Sequence, residues 1–387
     1  MTGRGTAVIA GAYEHPERII PVGSVAGVIA DVVHGALADA GLGIERVDGF
    51  FYAGVHQGTN LVTMADYLGL GPLSYYDSTD TGGASPVSQV GHAAMAIAAG
   101  KCSVALVAMG GRARSEKRGS TGGPVPQDAY EGVYGLTQPA AYALAAQRHM
   151  YEFGTTSAQL AQVRVAAAHH AQYNPNALYR DPVTVEQVLD SPLISDPLHR
   201  LDCCVTTDGG GAVLVVSEEV ARELPRRGVR VLGHGEALKT PGPGRIDLTY
   251  TAAAVSGPRA FEEARVTPAD IDMASIYDSF TITVLLSLED LGFCDKGKGG
   301  RFVEDGALLA PHGVLPFNTD GGGLCNNHPD RRGGMIRLIE AVRQLRGEAA
   351  PEVQVADCEL ALVQGQGHAL GTRSAAATLI LGREDVR

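Results

Sequence analysis

The alternation of apolar and polar positions sorts this chain into buried strands and amphipathic helices. Ala7-Val8-Ile9-Ala10, Cys102-Ser103-Val104-Ala105-Leu106-Val107, Ala212 to Val216 and Cys358-Glu359-Leu360-Ala361-Leu362-Val363 are apolar runs with few polar interruptions. That pattern predicts strands covered on both faces. Helical spacing predicts a helix through Ala93 to Ala99 that closes at Gly100, and another through Ile336 to Arg346 that closes at Gly347. Gln138 to Phe153 and Ser157 to Tyr173 read as two more helices, the second stopped by Asn174-Pro175-Asn176.

These elements fall into two similar sets, and an internal repeat is the strongest organisational signal. Ala36-Leu37-Ala38-Asp39-Ala40-Gly41-Leu42, then Ile44 and Val47-Asp48, matches Ala260-Phe261-Glu262-Glu263-Ala264-Arg265-Val266, then Ile271-Asp272. Thr79-Asp80-Thr81-Gly82-Gly83 likewise corresponds to Thr319-Asp320-Gly321-Gly322, and each leads into a helix and then an apolar strand. The order in each half is strand, helix, strand, glycine turn, helix, strand. The expected organisation is a first α/β half over residues 1–112, completed by residues 201–222, an inserted helical loop domain over 113–200, and a second half over 223–387. Within the insertion, Arg114 to Pro126 is rich in Gly, Ser and Pro and reads as a loop.

Composition narrows the function. A formal charge of −12 argues against a general binder of nucleic acid or anionic membranes, which need basic faces. It leaves room for a phosphate-bearing ligand held by a few local cations, for which Arg112, Arg114, Lys117 and Arg118 are candidates, a solvated loop being the alternative. Six cysteines in 387 residues do not form a disulfide framework, and Cys203-Cys204 and Cys294 read as packing residues. No apolar run is long enough to span a membrane, and the opening residues do not form a signal segment, so a soluble, cytoplasmic protein is expected.

The candidate chemistry concentrates between Ile276 and Gly334. Tyr277 and His328, two groups able to move protons, lie at junctions where a strand-like segment meets a turn or helix, the places where open α/β sheets hold ligands. Gly82-Gly83 and Gly321 to Gly323 offer peptide N–H donors at helix starts. Ser85 reads as an N-cap, as does Asp278 for the helix from Phe280 to Asp290. His368 sits in a terminal glycine turn, and His169-His170 lie on an alanine-rich helix with no third ligand, so no metal site is expected.

Tyr277-Asp278-Ser279-Phe280, Leu291-Gly292-Phe293-Cys294 followed by Lys296-Gly297, Asn318-Thr319, Leu201-Asp202-Cys203-Cys204 and the Asp208-Gly209 step carry a resemblance. Together with the duplicated halves, they resemble the thiolase superfamily, and within it the sterol-carrier, lipid-transfer-protein branch that includes steroid side-chain-cleaving aldolases. The resemblance implies a five-layered α-β-α-β-α thiolase fold. It also exposes departures. The acyl-accepting cysteine of a thiolase falls at Gly83, in Gly82-Gly83-Ala84-Ser85-Pro86, and its second cysteine falls in Val363-Gln364-Gly365-Gln366-Gly367-His368. Neither thiol is present. The Gly-His-Pro motif survives as Asn327-His328-Pro329, where the aldolases carry a tyrosine that pairs with the tyrosine kept here as Tyr277.

The resemblance implies catalytic roles for Tyr277, His328 and His368, and a substrate lying against Gly83, Ser85, Asp278, Asn318, Gly322, Asn327 and Gly367. The reaction expected is retro-aldol cleavage of a β-hydroxyacyl-CoA, with a steroid side chain as the favoured acyl group. No cofactor is expected beyond the coenzyme A of the substrate. A homodimer and a small partner with a zinc ribbon and an OB-fold are the implied assembly. A thiolase-like acyltransferase, with Ser85 or no covalent step, and a non-catalytic acyl-CoA or lipid carrier or scaffold stand as alternatives.

Overall fold

The structure is a computed structural model that describes residues 5–54, 59–117, 132–240, 246–329, 333–370 and 372–386. Arg118 and the rest of the predicted Arg114 to Pro126 loop beyond Lys117 lie outside them, as do residues 330–332 of the Ile276 to Gly334 stretch. The first half runs β1 (Ala7–Glu14), α1 (Val25–Ala40), β2 (Gly49–Phe51), α2 (Leu61–Tyr67), β3 (Tyr75–Asp77), α3 (Ser85–Ala98) and β4 (Val104–Arg112). The insertion contributes α4 (Gln138–Phe153), α5 (Ser157–Ala171), α6 (Val185–Leu189) and a hairpin of β5 (Leu193–Ser195) and β6 (Leu198–His199). The chain returns as β7 (Asp208–Ser217) and α7 (Glu218–Ala221). The second half is β8 (Val229–Lys239), α8 (Ala253–Ala264), β9 (Met273–Ile276), α9 (Thr281–Asp290), α10 (Gly299–Phe302), α11 (Gly333–Arg346), β10 (Leu360–Ala369) and β11 (Arg373–Arg383).

Nine strands form one sheet in the order β3-β2-β4-β7-β1-β8-β11-β10-β9. The halves meet at a short antiparallel contact, Val8 against Arg230 and Ile9 against Val229. Side-chain alternation then builds the layers, because successive residues of a strand point to opposite faces. On β1, Ala7 and Ile9 join one core while Val8 and Ala10 join another. Val213 and Val215 of β7 and Ala105 and Val107 of β4 follow the first pair, as do Ala361 and Val363 of β10 and Leu379 and Leu381 of β11. All of these enclose α3 and α11, which form the central layer. Helix α1 covers the outer face of the first half, and α8 covers that of the second. The result is the α-β-α-β-α arrangement.

The two central helices bring their N-termini together. A Cβ at Gly334 would lie 2.1 Å from the Gly83 carbonyl, so the helices touch backbone to backbone at that point. Both end as the periodicity predicts, α3 ahead of Gly100 (φ +67°) and α11 at Gly347 (φ +72°). From the insertion, α4 and α5 pack on α9 through Ala141, Ala145, Leu160, Val163 and Leu285, covering the second half beside these N-termini. No helix among the described residues is long and apolar enough to cross a membrane.

Candidate active site

Tyr277 follows directly on β9. Its side chain takes the face of Met273, which points to the central layer, and so it meets the N-termini of α3 and α11. His328 comes from the loop ahead of α11. The Tyr277 hydroxyl and His328 Nε2 are 2.7 Å apart, with the rings edge to face at 5.4 Å between centroids. Tyr277 is buried and His328 half-buried.

Glycines make the space for this pair. A Cβ at Gly333 would lie 2.8 Å from His328 Cδ2 and 3.1 Å from Tyr277 Cε2. A Cβ at Gly83 would lie 2.4 Å from both Cε2 and Cζ of Tyr277, and also 2.4 Å from the Gln366 carbonyl. Real Cβ atoms do not approach so closely. The tyrosine ring therefore occupies the place that a side chain on Gly83 would need. Gly367 closes the same corner, where a Cβ would meet the Thr81 carbonyl at 1.7 Å.

A buried polar network fixes His328 from behind. The His328 N–H donates to Thr207 Oγ1 (2.9 Å), the Thr207 hydroxyl donates to Asn327 Oδ1 (2.6 Å), and Asn327 Nδ2 donates to Glu14 Oε1 (2.8 Å). Glu14 also accepts from Arg18 (2.7 Å) and Arg343 (3.0 Å). Burial pushes the Glu14 carboxyl up, but these two guanidinium groups outweigh it and hold the pKa at about 2. Arg18 continues the network to Asn326, and Asn326 Nδ2 donates to Asp320 (2.6 Å), which takes both forks of Arg337 at 3.1 Å. The buried groups are thus satisfied, as such groups must be.

The structure corrects several expectations here. Asp278 is not the N-cap of α9: that place belongs to Phe280, with no side-chain cap. The Asp278 carboxylate instead accepts from the Gly323 and Leu324 N–H groups (2.8 and 3.1 Å), pinning the π-turn Gly322–Asn326. Burial raises its pKa. Ser85 is not an N-cap either. It is the first residue of α3 behind Ala84, and its Oγ accepts from the Thr81 N–H (2.8 Å). The peptide donors expected at the glycine turns are largely engaged internally: Gly321 with the Asn318 carbonyl, Gly322 with Asp320, Gly323 with Asp278 and Gly82 with Asp80. Three of these are local bonds closed within the turn, and the Gly323 bond goes to Asp278 from a distant segment; the residue types alone revealed neither.

The remaining expected residues are placed as follows. Asn318 (φ +41°) clamps the end of β9, its amide bonding both N–H and C=O of Ile276 at 2.8 Å. Gly322 (φ +65°) faces Asp278, where a Cβ would lie 2.1 Å from Oδ2. His368 (φ +61°) is exposed, and its carbonyl accepts from Tyr142 of α4 at 3.0 Å. Arg112 is buried and donates to the Ile20 and Gly23 carbonyls, whereas Arg114 reaches the Thr206 carbonyl and Lys117 is exposed. Glu14, Thr207, Gln364 and Gln366 escaped the sequence reading. A glutamine pair two residues apart in an otherwise apolar strand was the one available signal.

All six cysteines are free, and burial pushes every thiol up. Cys203, Cys294, Cys325 and Cys358 reach about 12, and Cys102 about 11. A reactive cysteine needs the opposite environment, with a cation or a helix N-terminus to stabilise its thiolate. Among the described residues no three His, Cys, Asp or Glu side chains gather as a metal would require. A concavity of about 280 Å³ lined by Arg227, Arg346 and Arg383 opens at the C-terminal end of α11, away from this chemistry.

The sequence and fold have counterparts in known proteins. Residues 242–383 match the model of the thiolase C-terminal domain-like family. The chain is 35% identical over 370 residues to an acetyl-CoA acetyltransferase of Methanothermobacter thermautotrophicus, covering 92% of this chain and 94% of that protein. It is also 35% identical over 380 residues to a 17-hydroxy-3-oxo-4-pregnene-20-carboxyl-CoA lyase of Mycobacterium tuberculosis, covering 91% and 93%. The solved structure of the Ltp2-ChsH2(DUF35) aldolase superposes with a TM-score of 0.87 at 32% identity, covering 99% of each chain. On this similarity in sequence and fold, the chain belongs to the thiolase superfamily, in its sterol-carrier and lipid-transfer-protein-like branch.

Proposed function

We propose that this chain is an aldolase that cleaves a β-hydroxyacyl-CoA by retro-aldol chemistry, giving a ketone and a shortened acyl-CoA without a covalent acyl-enzyme. The observation that carries this reading is the Tyr277 ring seated against Gly83, on the ground where a thiolase nucleophile would stand. A Tyr–His pair 2.7 Å apart replaces it, a unit that shares one proton.

In this reading the pair takes the proton of the substrate β-hydroxyl. The Cα–Cβ bond breaks, the hydroxyl carbon becomes a ketone, and the electron pair moves to the enolate of the thioester. The proton held by the pair returns to the α-carbon. The step balances without metal or oxidant. The lyase and aldolase names of the similar proteins support it, and the steroid-acyl name of the mycobacterial relative makes a steroid side chain the favoured acyl group. The similar aldolase is named with a ChsH2(DUF35) component, and a small zinc-ribbon and OB-fold partner is proposed here too, on a homodimer of this chain.

A thiolase-like acyltransferase is the second reading, favoured by the 35% identity to an acetyl-CoA acetyltransferase. One experiment separates the two. The chain, co-expressed with the partner, is given a β-hydroxyacyl-CoA with a tertiary carbinol, and products are read by mass spectrometry. Ketone and shortened acyl-CoA without added CoA are expected. Products that form only when free CoA is supplied establish the acyltransferase, and binding without turnover establishes a carrier.

A further inference from the structure

Behind the His328 loop, Glu14 of β1, Arg18 just after it, Asp320 of the glycine turn, and Arg337 and Glu340 of α11 are buried together, with Arg343 of α11 half-buried beside them. Their three carboxylates are not served alike. Glu14 accepts from three donors: Arg18, Arg343 and Asn327. Asp320 accepts from four: the Gly322 N–H, Asn326 Nδ2 and both forks of Arg337. Among the described residues Glu340 accepts from two, the Thr319 hydroxyl and Arg343, the latter at 3.4 Å, longer than an ordinary N–H to oxygen bond. A buried carboxylate with few donors recovers least of the hydration it has lost, so it is the one to take a proton. Gln344 Nε2 donates to the same Thr319 oxygen (2.9 Å). A hydroxyl both donates and accepts, so the Thr319–Glu340 contact survives with the proton on either side. Burial, and then repulsion from Asp320, push the Glu340 carboxyl up to about 7, against Arg343, the Thr319 bond and Arg337.

Arg343 links this carboxyl to the site. Its Nη1 faces Glu340 and its Nη2 donates to Glu14 (3.0 Å). From Glu14 the bonds run through Asn327 and Thr207 to the His328 N–H. We propose that Glu340 is a positioning residue for the Tyr277–His328 pair, a buried proton site whose charge reaches the His328 loop through Arg343, Glu14, Asn327 and Thr207. The proposal rests on the pair being the proton carrier of the lyase reading. With Glu340 protonated, Arg343 serves Glu14 alone. With Glu340 ionised, the arginine is shared and the network gains one negative charge, which raises the affinity of His328 for the proton it must take. The other charged groups facing Glu340 are Arg337 on the same helix and Asp320 in the turn, which are paired with each other. Arg18 lies behind Glu14, and Asp278 behind Asp320 and Arg337.

The test reads the proton and the histidine separately, on the intact chain. Infrared difference spectra across neutral pH follow the carbonyl stretch of a buried carboxylic acid. NMR follows the His328 ring, assigned by its loss in His328→Ala. Wild type is expected to lose an acid band as pH rises through about 7, and Glu340→Gln to lack that band. Thr319→Val, which keeps Glu340 but removes its hydroxyl donor, is expected to move the midpoint of the band up in pH, so the assignment does not depend on Glu340→Gln folding. In Glu340→Gln the His328 ring is expected to titrate about half a pH unit lower, and the acid limb of kcat/KM to move down with it. A Glu340→Gln protein that keeps the full acid band, or a band unmoved by Thr319→Val, overturns the proton site. A His328 titration identical in wild type and Glu340→Gln overturns the link. Cleavage with the same pH profile in both proteins overturns the positioning role. Both spectroscopic changes without any cleavage of a β-hydroxyacyl-CoA support the link and overturn the lyase reading alone.

Discussion

The ring of Tyr277 stands where a side chain on Gly83 would have to go, a Cβ there lying 2.4 Å from Cε2 and Cζ. The two residues are mutually exclusive with a cysteine nucleophile. Gly83→Cys is therefore expected to displace the ring, lower lyase turnover more than a hundredfold and destabilise the fold by about 1–3 kcal/mol through overpacking. Product assays and thermal melts check this. A Gly83→Cys enzyme with full lyase activity would show that the ring can move at no cost.

Tyr277→Phe keeps the ring and removes only the hydroxyl that meets His328 Nε2. The expected result is a fold intact by melting and a kcat lower by about 10²–10⁴, the usual worth of a positioned proton carrier. His328→Ala should fall into the same range, and the double variant should lose little more, because the two act as one unit. Full cleavage rates in both single variants would remove the pair from the mechanism.

Thiol chemistry provides an independent check. Since every cysteine is raised by burial, treatment with iodoacetamide at neutral pH is expected to leave turnover within twofold. Inactivation that the substrate protects against would point to a catalytic thiol and to acyl transfer.

Glu14 ties the loop of His328 to acid stability. Burial pushes this carboxyl up, but Arg18 and Arg343 outweigh it and hold the folded pKa at about 2, below the ordinary glutamate value of 4.5. A depressed carboxylate stabilises the fold above its unfolded pKa, and that contribution fades as pH falls from about 4.5 through 2, with a size of roughly 3 kcal/mol. Thermal melts across that window should show a steep loss of Tm in wild type. Glu14→Gln, already less stable at neutral pH, should show a shallower one. Parallel curves for the two proteins would exclude Glu14 as the source.

Much of the fold could be read from periodicity. Alternation along Ala7 to Ala10 and along Ala361 to Val363 marks strands covered on both faces, and the Ala36 to Leu42 match with Ala260 to Val266 marks equivalent positions on the outer helices α1 and α8. Residue chemistry singled out Tyr277 and His328. These are local properties, since burial on a strand or helix face repeats with the period of the backbone itself. Contacts between distant segments carry no such period. Tyr277 and His328 are 51 residues apart, and the ring's seat against Gly83 depends on the backbone approach at Gly83, Gly333 and Gly334. The same holds for Asp278, whose N-cap signature yields to two N–H groups brought in from Gly323 and Leu324. The sequence by itself determined the buried strands, the two repeated α/β halves and the candidate proton carriers, and its family resemblance implied the layers. Only the tertiary structure decided which groups meet, because close packing of backbones at glycines, and the satisfaction of each buried donor in turn, are settled when the whole chain has folded.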